Sequence, residues 1–223
     1  ADLGVDAALI TDGMQLGTSR NAGSDKQTYY KLSLAGDRGD CPGDMARDLM
    51  GEGVHGDEAY AEAAGSAACF LKLAQLGVPF PTNRMGEYVG YKTDHDERGR
   101  ATSAGPLTSR YMAEKLEASV RKKPVTLLDG YMVLSVLVRG GRAAGVFALG
   151  PEGPLLALAP HVVLATGGPA RLYEYSAYPP EQTGMSSLAL DAGAKAVNLH
   201  QWQYGLATVK FRWNVSGTYQ QVL

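Results

Sequence analysis

An apolar run, His161 to Thr166 (HVVLAT), empties without a charged residue into Gly167-Gly168. No other stretch constrains the fold as much. A continuous apolar run bounded by small residues suits a strand buried on both faces, as in a parallel sheet. At the carboxyl edge of such a sheet α/β proteins bind their ligands, and glycine lets the backbone approach a phosphate or a ring closely. The same residues also suit an ordinary strand-to-loop turn. Val5 to Thr11 (VDAALIT) and Val125 to Leu128 share the short apolar pattern, so the three segments are expected to form a parallel core. Tyr131 to Arg139 and Arg142 to Leu149 flank Gly140-Gly141, a strong two-residue hairpin signal. With Leu155 to Ala159 they predict an antiparallel three-stranded meander, giving an α/β class.

Composition narrows the function. Of 223 residues 28 are glycine, close to twice the usual share of about 7%. No period of three accompanies them, so the glycines suit tight turns and close backbone approaches around a phosphate-bearing cofactor. Apolar residues make up 45% and charged residues 20%, with a net charge of -2. That balance offers no basic field for nucleic acid. Cys41 and Cys69 cannot make a disulfide framework, and a reducing cytoplasm is the expected location. No run reaches the roughly 18 apolar residues of a membrane span, and no basic-then-apolar signal opens the chain. The chain begins without Met at Ala1-Asp2-Leu3-Gly4, in mid-pattern, and is expected to be processed or part of something longer. His55, His95, His161 and His200 are scattered without metal spacing. Hydrolase elbows, zinc helices and phosphate-loop motifs are absent.

The rest of the chain divides by periodicity and punctuation. Gly13 to Asp44 is polar and glycine-punctuated, and reads as a long binding segment without regular structure. A helix is expected from Glu58 to Leu76, capped by Asp57, with Ala59, Ala63, Ala67, Phe70, Leu71 and Ala74 on one face. Pro79 to Gly105 reads as an irregular connection containing Arg84, His95, Arg98 and Arg100. A second helix starts at Pro106, with Leu107, Tyr111, Leu116 and Val120 on its apolar face, and a last one covers Ser186 to Ala194. No repeat or linker interrupts the text, which predicts one domain. Gly17-Thr18-Ser19 with Gly23-Ser24-Asp25-Lys26 can form an anion-binding concavity or a plain surface loop. Thr11-Asp12 ends the first strand, where a polar side chain could reach a ribose hydroxyl or simply end the strand.

The order of these signals resembles the flavoprotein subunit family of fumarate reductase, succinate dehydrogenase and L-aspartate oxidase. The matching text is Ala8 to Gly13, Gly17 to Ser24, Ala104-Gly105-Pro106-Leu107-Thr108, Tyr131 to Val146, Val162 through Gly168 to Tyr173, Thr183-Gly184 and Ala192-Gly193-Ala194. The resemblance implies a Rossmann-like FAD domain of the two-dinucleotide-binding type. It implies an oxidoreductase that moves a hydride between a small-molecule substrate and the flavin N5, with an unidentified electron partner. By the same resemblance Thr11 and Asp12 lie at the adenosine ribose, and Gly17, Thr18, Ser19, Gly23 and Ser24 line the pyrophosphate and flavin. Tyr131 or Met132 would offer backbone to adenine, and Ala165, Thr166, Gly167 and Gly168 would pack against the cofactor. The alternatives are a non-catalytic FAD-domain fragment and a module that binds a nicotinamide dinucleotide.

Departures from the family pattern carry expectations of their own. The opening strand with its Gly-x-Gly-x-x-Gly turn is not in this text, nor are the capping and C-terminal parts. The chain therefore reads as a partial FAD-binding domain that by itself holds FAD poorly. The Asp after Thr-Gly is replaced by Met185 or lost, and His200-Gln201-Trp202-Gln203-Tyr204-Gly205 lacks the family's dicarboxylate-binding His. Some members attach FAD covalently through a His in the segment matching Gly17 to Ser24. Thr18 stands there instead, and a hydroxyl lacks the neutral nitrogen nucleophile that the bond needs. The expected flavin is non-covalent, with Thr18 donating a hydrogen bond to it. That favours substrate reduction, or oxidation by a strong acceptor, over succinate oxidation.

Overall fold

The computed structural model describes residues 2–23, 27–35, 39–51, 54–93, 96–168, 174, 178, 182–197 and 199. In chain order the elements are β1 (Ala7–Thr11), α1 (Thr18–Asn21), β2 (Tyr29–Tyr30), α2 (Pro42–Met50), α3 (Gly56–Gln75), β3 (Tyr91–Thr93) and β4 (Asp96–Thr102). They continue with α4 (Thr108–Val120), β5 (Val125–Asp129), β6 (Met132–Arg139), β7 (Arg142–Gly150), β8 (Gly153–Leu158) and α5 (Ser186–Asp191). The chain divides into two compact units, residues 1–21 with 120–223, and residues 22–119. No linker in the sequence marks the division. The second unit is simply the crossover between β1 and β5 in chain order.

In the first unit β1 and β5 pair in parallel, Ala7 against Val125 through Thr11 against Asp129. The meander is antiparallel in the order β6-β7-β8. Gly140 and Gly141 turn its first hairpin with φ of 58° and 73°, the doubly left-handed geometry that a tight hairpin demands and that side chains resist. The α/β class, the parallel pairing of the segments Val5 to Thr11 and Val125 to Leu128, and the meander are all present.

The third expected core strand is not. Residues 161–166 run irregularly, with Val163 87% and Leu164 38% exposed. Apolar residues alone do not make a strand, because each backbone N–H and C=O also needs a neighbouring ladder. Among the described residues β1 is paired with β5 alone, and no strand lies beside 161–166.

The second unit holds structure where the sequence reads as loop. Within residues 22–44 lie β2 and the start of α2, and within 79–105 lie β3 and β4, while α1 falls in the first unit. The three strands form a sheet in the order β2-β4-β3. Helix α2 starts where Pro42 presets the first turn and the Cys41 Sγ accepts the Asp44 N–H at 3.4 Å. Helix α3 starts at His55 rather than Asp57, which sits in its first turn as an acidic partner of the helix dipole. Its buried stripe is Ala59, Ala63, Ser66, Phe70 and Leu73. Leu71, expected on that face, is exposed, and Ser66 is buried instead because its Oγ donates to the Ala63 carbonyl at 2.8 Å and accepts the Leu32 N–H at 3.1 Å.

Ala59 and Ala63 let α2 approach closely, so Met45 and Ala46 bury against them. Further along, Phe70, Leu73, Val78 and Phe80 form a second cluster with Tyr29 and Tyr88 at its margin. Phe70 and Phe80 stack with centroids 4.5 Å apart, within the range of favourable ring contacts.

Candidate functional site

The carboxyl ends of β1 and β5 lie side by side in the first unit, and the chain after each is tied down locally. The Thr11 carbonyl accepts the Tyr131 N–H at 2.9 Å. The Thr11 Oγ1 accepts the Gly13 N–H at 3.2 Å, and the Asp129 carboxylate accepts the Met14 N–H at 2.8 Å. These bonds turn the backbone away from the sheet and lead it into α1. Asp12 is left exposed at the strand end. Asp129, which no motif singled out, is a second carboxylate at the same edge. Its register opposite Thr11 is the one signal that could have found it.

Thr18 and the glycine turn after residue 166 meet through Gln182. The Thr18 hydroxyl donates to the Gln182 Oε1 at 2.8 Å. The Gln182 Nε2 donates to the Gly168 carbonyl at 3.0 Å and faces the Thr166 carbonyl at 3.5 Å. Gly167 carries a φ of 73°, and a Cβ on it would lie 2.6 Å from the Gln182 Nε2. Glycine is therefore required there twice over, by conformation and by contact. At Gly17 and Gly168 a side-chain carbon would meet nothing within 4 Å, so bare backbone faces open space on both loops.

Two expectations change. A hydroxyl has a single proton, and that of Thr18 goes to Gln182, so Thr18 meets a ligand as an acceptor rather than as a donor. Of the backbone that Tyr131 or Met132 would offer to adenine, the Tyr131 N–H is committed to Thr11. Met132 opens β6 opposite Leu149 and is exposed. Ser19 and residues 165–168 are exposed as well.

Gly23 belongs to the second unit, where a Cβ would press within 3.2 Å of the Pro106 carbonyl. Its lack of a side chain has a packing reason there. Ser24, Tyr173 and residues 200–205 lie outside the described residues. The first unit thus holds Thr11, Asp12, Gly17, Thr18, Ser19, Tyr131, Met132 and residues 165–168, with Tyr131 bonded to Thr11 and Thr18 bridged by Gln182 to residues 166 and 168. The hydroxyls, the bare backbone and the strand-end carboxylates suit a dinucleotide, which needs acceptors for ribose hydroxyls and uncrowded main chain for its phosphates and rings. Among the described residues no group of His, Cys, Asp or Glu could hold a metal ion. No described helix is long and apolar enough to cross a membrane.

A different polar centre fills the second unit. The wholly buried Arg100 guanidinium pairs with Asp40 through Nε at 2.9 Å and Nη2 at 2.7 Å. Its Nη1 reaches Asp48 at 2.6 Å and the Tyr30 hydroxyl at 3.1 Å. Burial alone would raise the Asp40 carboxyl, but Arg100 and the Ser33 and Cys41 amides outweigh it and hold it below the usual carboxylate value. Bonding to Asp40 likewise raises Arg100. Lys31, also wholly buried, meets among the described residues only the Leu32 carbonyl at 3.4 Å and the Phe70 ring at 4.8 Å, and burial lowers its ammonium despite Asp40 nearby. The Arg100 guanidinium is bonded within the unit to Asp40, Asp48 and Tyr30, which makes this a folding element rather than a binding site.

Comparison with known proteins identifies the family. A family model described as "FAD binding domain" matches residues 3–219. An L-aspartate oxidase of Agrobacterium fabrum is 30% identical over 158 residues, covering 69% of this chain and 30% of the relative. An L-aspartate oxidase of Mesorhizobium japonicum is 28% identical over 206 residues, covering 91% and 37%. Among solved structures, E. coli quinol fumarate reductase aligns with a TM-score of 0.71 at 22% identity, covering 85% of this chain and 33% of that one. The Mycobacterium smegmatis Sdh1 complex aligns with a TM-score of 0.70 at 20% identity, covering 86% and 35%. The chain therefore spans about a third of the length of these relatives. With the match running along nearly all of its residues, the chain belongs to the FAD binding domain family.

Proposed function

We propose that the protein this domain serves is an FAD-dependent oxidoreductase that moves a hydride between a small-molecule substrate and the flavin N5. The observation that carries the reading is the Gln182 bridge between the Thr18 loop that follows β1 and the glycine turn at residues 166–168, in a chain of this family. FAD supplies the hydride chemistry when bound, and the protein supplies binding, orientation and exclusion of water. Thr11, Asp12 and Asp129 present oxygen acceptors to ribose hydroxyls. Gly17, Thr18 and Ser19 present main chain, and Ser19 its hydroxyl, to the pyrophosphate, while the Thr18 oxygen accepts from an N–H or O–H of the cofactor. Residues 165–168 offer a flat backbone surface, and Met132 an apolar one. No residue of this chain is assigned to proton transfer.

The flavin is non-covalent in this reading, since the hydroxylic loop carries Thr18 and no imidazole. The chain is a part of its FAD domain, lacking the glycine-turn strand. Among the described residues β1 pairs on one edge alone, and the apolar run at residues 161–166 is exposed, which supports that view. Two free, exposed cysteines, Cys41 and Cys69, are in keeping with a reducing cytoplasm.

The test is purification of the longer protein. A yellow protein that releases FAD into the supernatant on acid precipitation, and turns over with an artificial electron donor or acceptor, is the expected result. Colourless protein that binds a nicotinamide dinucleotide would replace the reading. Colour remaining in the acid pellet would overturn the non-covalent part alone.

A further inference from the structure

We propose that Gln182 is a positioning residue of the FAD site, whose side-chain amide ties the Thr18 loop to the turn at residues 166–168 and fixes the hydrogen-bonding polarity of Thr18. The inference rests on the FAD reading above and adds a residue that the family pattern of small and hydroxylic positions does not mark. Thr18 and Gln182 stand 164 residues apart in sequence, and Gln182 stands 14 beyond Gly168. One amide therefore joins segments that no local structure holds together.

The chemistry of the tie is specific to a primary amide. Its oxygen takes the Thr18 proton while its nitrogen gives a hydrogen to Gly168 and faces Thr166. A carboxylate in its place accepts from Thr18 but confronts two carbonyl oxygens with no donor. A leucine does neither. An asparagine is one methylene short. Gly167 fits the same arrangement, because any side chain there would displace the amide nitrogen. With its proton spent, the Thr18 oxygen has only its two lone pairs to offer a ligand and selects a donor, an N–H or O–H of the cofactor. Loss of the tie would free the hydroxyl to rotate and let the two loops part.

The experiment uses the longer protein stripped of FAD, titrated with FAD and followed by flavin fluorescence, for the wild type, Gln182→Leu and Gln182→Glu. Loss of a donor and an acceptor contact predicts an FAD dissociation constant raised about tenfold in Gln182→Leu. In Gln182→Glu the effect depends on pH. The carboxylate at about pH 8 lacks the donor, whereas the protonated carboxyl at about pH 5 regains one donor and one acceptor, its titration raised by the facing carbonyls. The ratio of variant to wild-type affinity should therefore recover on acidification. Wild-type affinity in Gln182→Leu, or equal weakening of Gln182→Glu at both pH values, overturns the inference while leaving the FAD reading intact. A wild-type protein that takes up no FAD overturns the reading itself. If Gln182→Leu fails to fold, the pH series on the single Gln182→Glu sample decides the matter.

Discussion

The two units bury their apolar residues very differently. Of the eleven buried hydrophobic residues among those described, nine lie in the second unit, from Met45 to Ala101, and only Val146 and Ala148 lie in the first. The second unit closes on itself, with two aromatic and aliphatic clusters and a satisfied ion network. The first keeps Met132, Leu149, Leu156 and Leu158 on one exposed face of its meander, and Val163 in the open. Hydrophobic burial scales with area removed from water, so stability should concentrate in the second unit. The first carries the open loops that a cofactor needs. The contrast separates a part built to hold itself from a part built to hold something else.

The largest effect should come from breaking the ion network. Asp40→Asn leaves the wholly buried Arg100 short of its bidentate partner, and stranding one member of a buried pair costs about 3–5 kcal/mol. Urea unfolding followed by far-UV circular dichroism should show that loss. The acid dependence gives a second readout. Asp40 titrates below its unfolded value, so between the two values the unfolded chain binds more protons. The stability it contributes is full above the ordinary carboxylate range and is lost as pH falls through the folded value. Asp40→Asn should flatten that part of the acid profile. A loss under about 1 kcal/mol would mean that the network is decoration and that the contrast rests on apolar packing alone.

How much of this was legible in the sequence follows from the range of the interactions. The β6–β7 hairpin is written locally in Gly140-Gly141, and α3 in its three-and-four spacing, although tertiary packing chose Ser66 and Leu73 over Ala67 and Leu71 for the buried stripe. The sheet of the second unit was not legible. Tyr29 and Tyr30 pair with Thr102 and Ala101 across some seventy residues. The text of β4, DERGRAT, looks like surface until Asp40 and Asp48 arrive to neutralise Arg100. Residues 161–166 carried the composition of a buried strand, but composition cannot say whether a partner edge is present. At the candidate site the glycines and hydroxyls were readable as residue types. Asp129 and Gln182 were not, since neither sits in a motif and both act through hydrogen bonds to residues distant in sequence.

A smaller effect, of opposite sign, should come from Lys31. Its ammonium is buried with one long hydrogen bond and a ring contact, so Lys31→Met keeps the packed stem and removes the cost of the buried charge. A gain of about 1–2 kcal/mol near neutral pH is expected, after the lost ring contact of roughly 0.5–1 kcal/mol is counted. The pH dependence fixes the cause. Lys31 titrates below an unfolded lysine, so the unfolded chain binds more protons between the two values and wild-type stability rises with pH there. The advantage of Lys31→Met should therefore be full below that window and fade as pH climbs through it. A variant that is destabilised at every pH would show that the ammonium has a stronger partner than the Leu32 carbonyl.

The smallest effect tests the other side of the contrast. Leu156 lies 60% exposed on the outer face of β8, opposite Phe147 of β7. Most of its side chain is in water in the folded chain as in the unfolded one, so Leu156→Ser removes little burial. The change should stay within about 0.5 kcal/mol, as for surface positions generally. Serine is a poorer strand former than leucine on a pleated surface, and that sets the sign as slightly destabilising. The measurement is the urea midpoint of this 223-residue chain, with the slope checked so that a change in the denatured state is not mistaken for one in stability. Phe70→Ala in the same experiment should cost about 3–5 kcal/mol, because Phe70 is wholly buried between Tyr29, Phe80 and Tyr88. A Leu156→Ser loss of 2 kcal/mol or more would mean that the meander face is packed in solution. The first unit would then be as closed as the second.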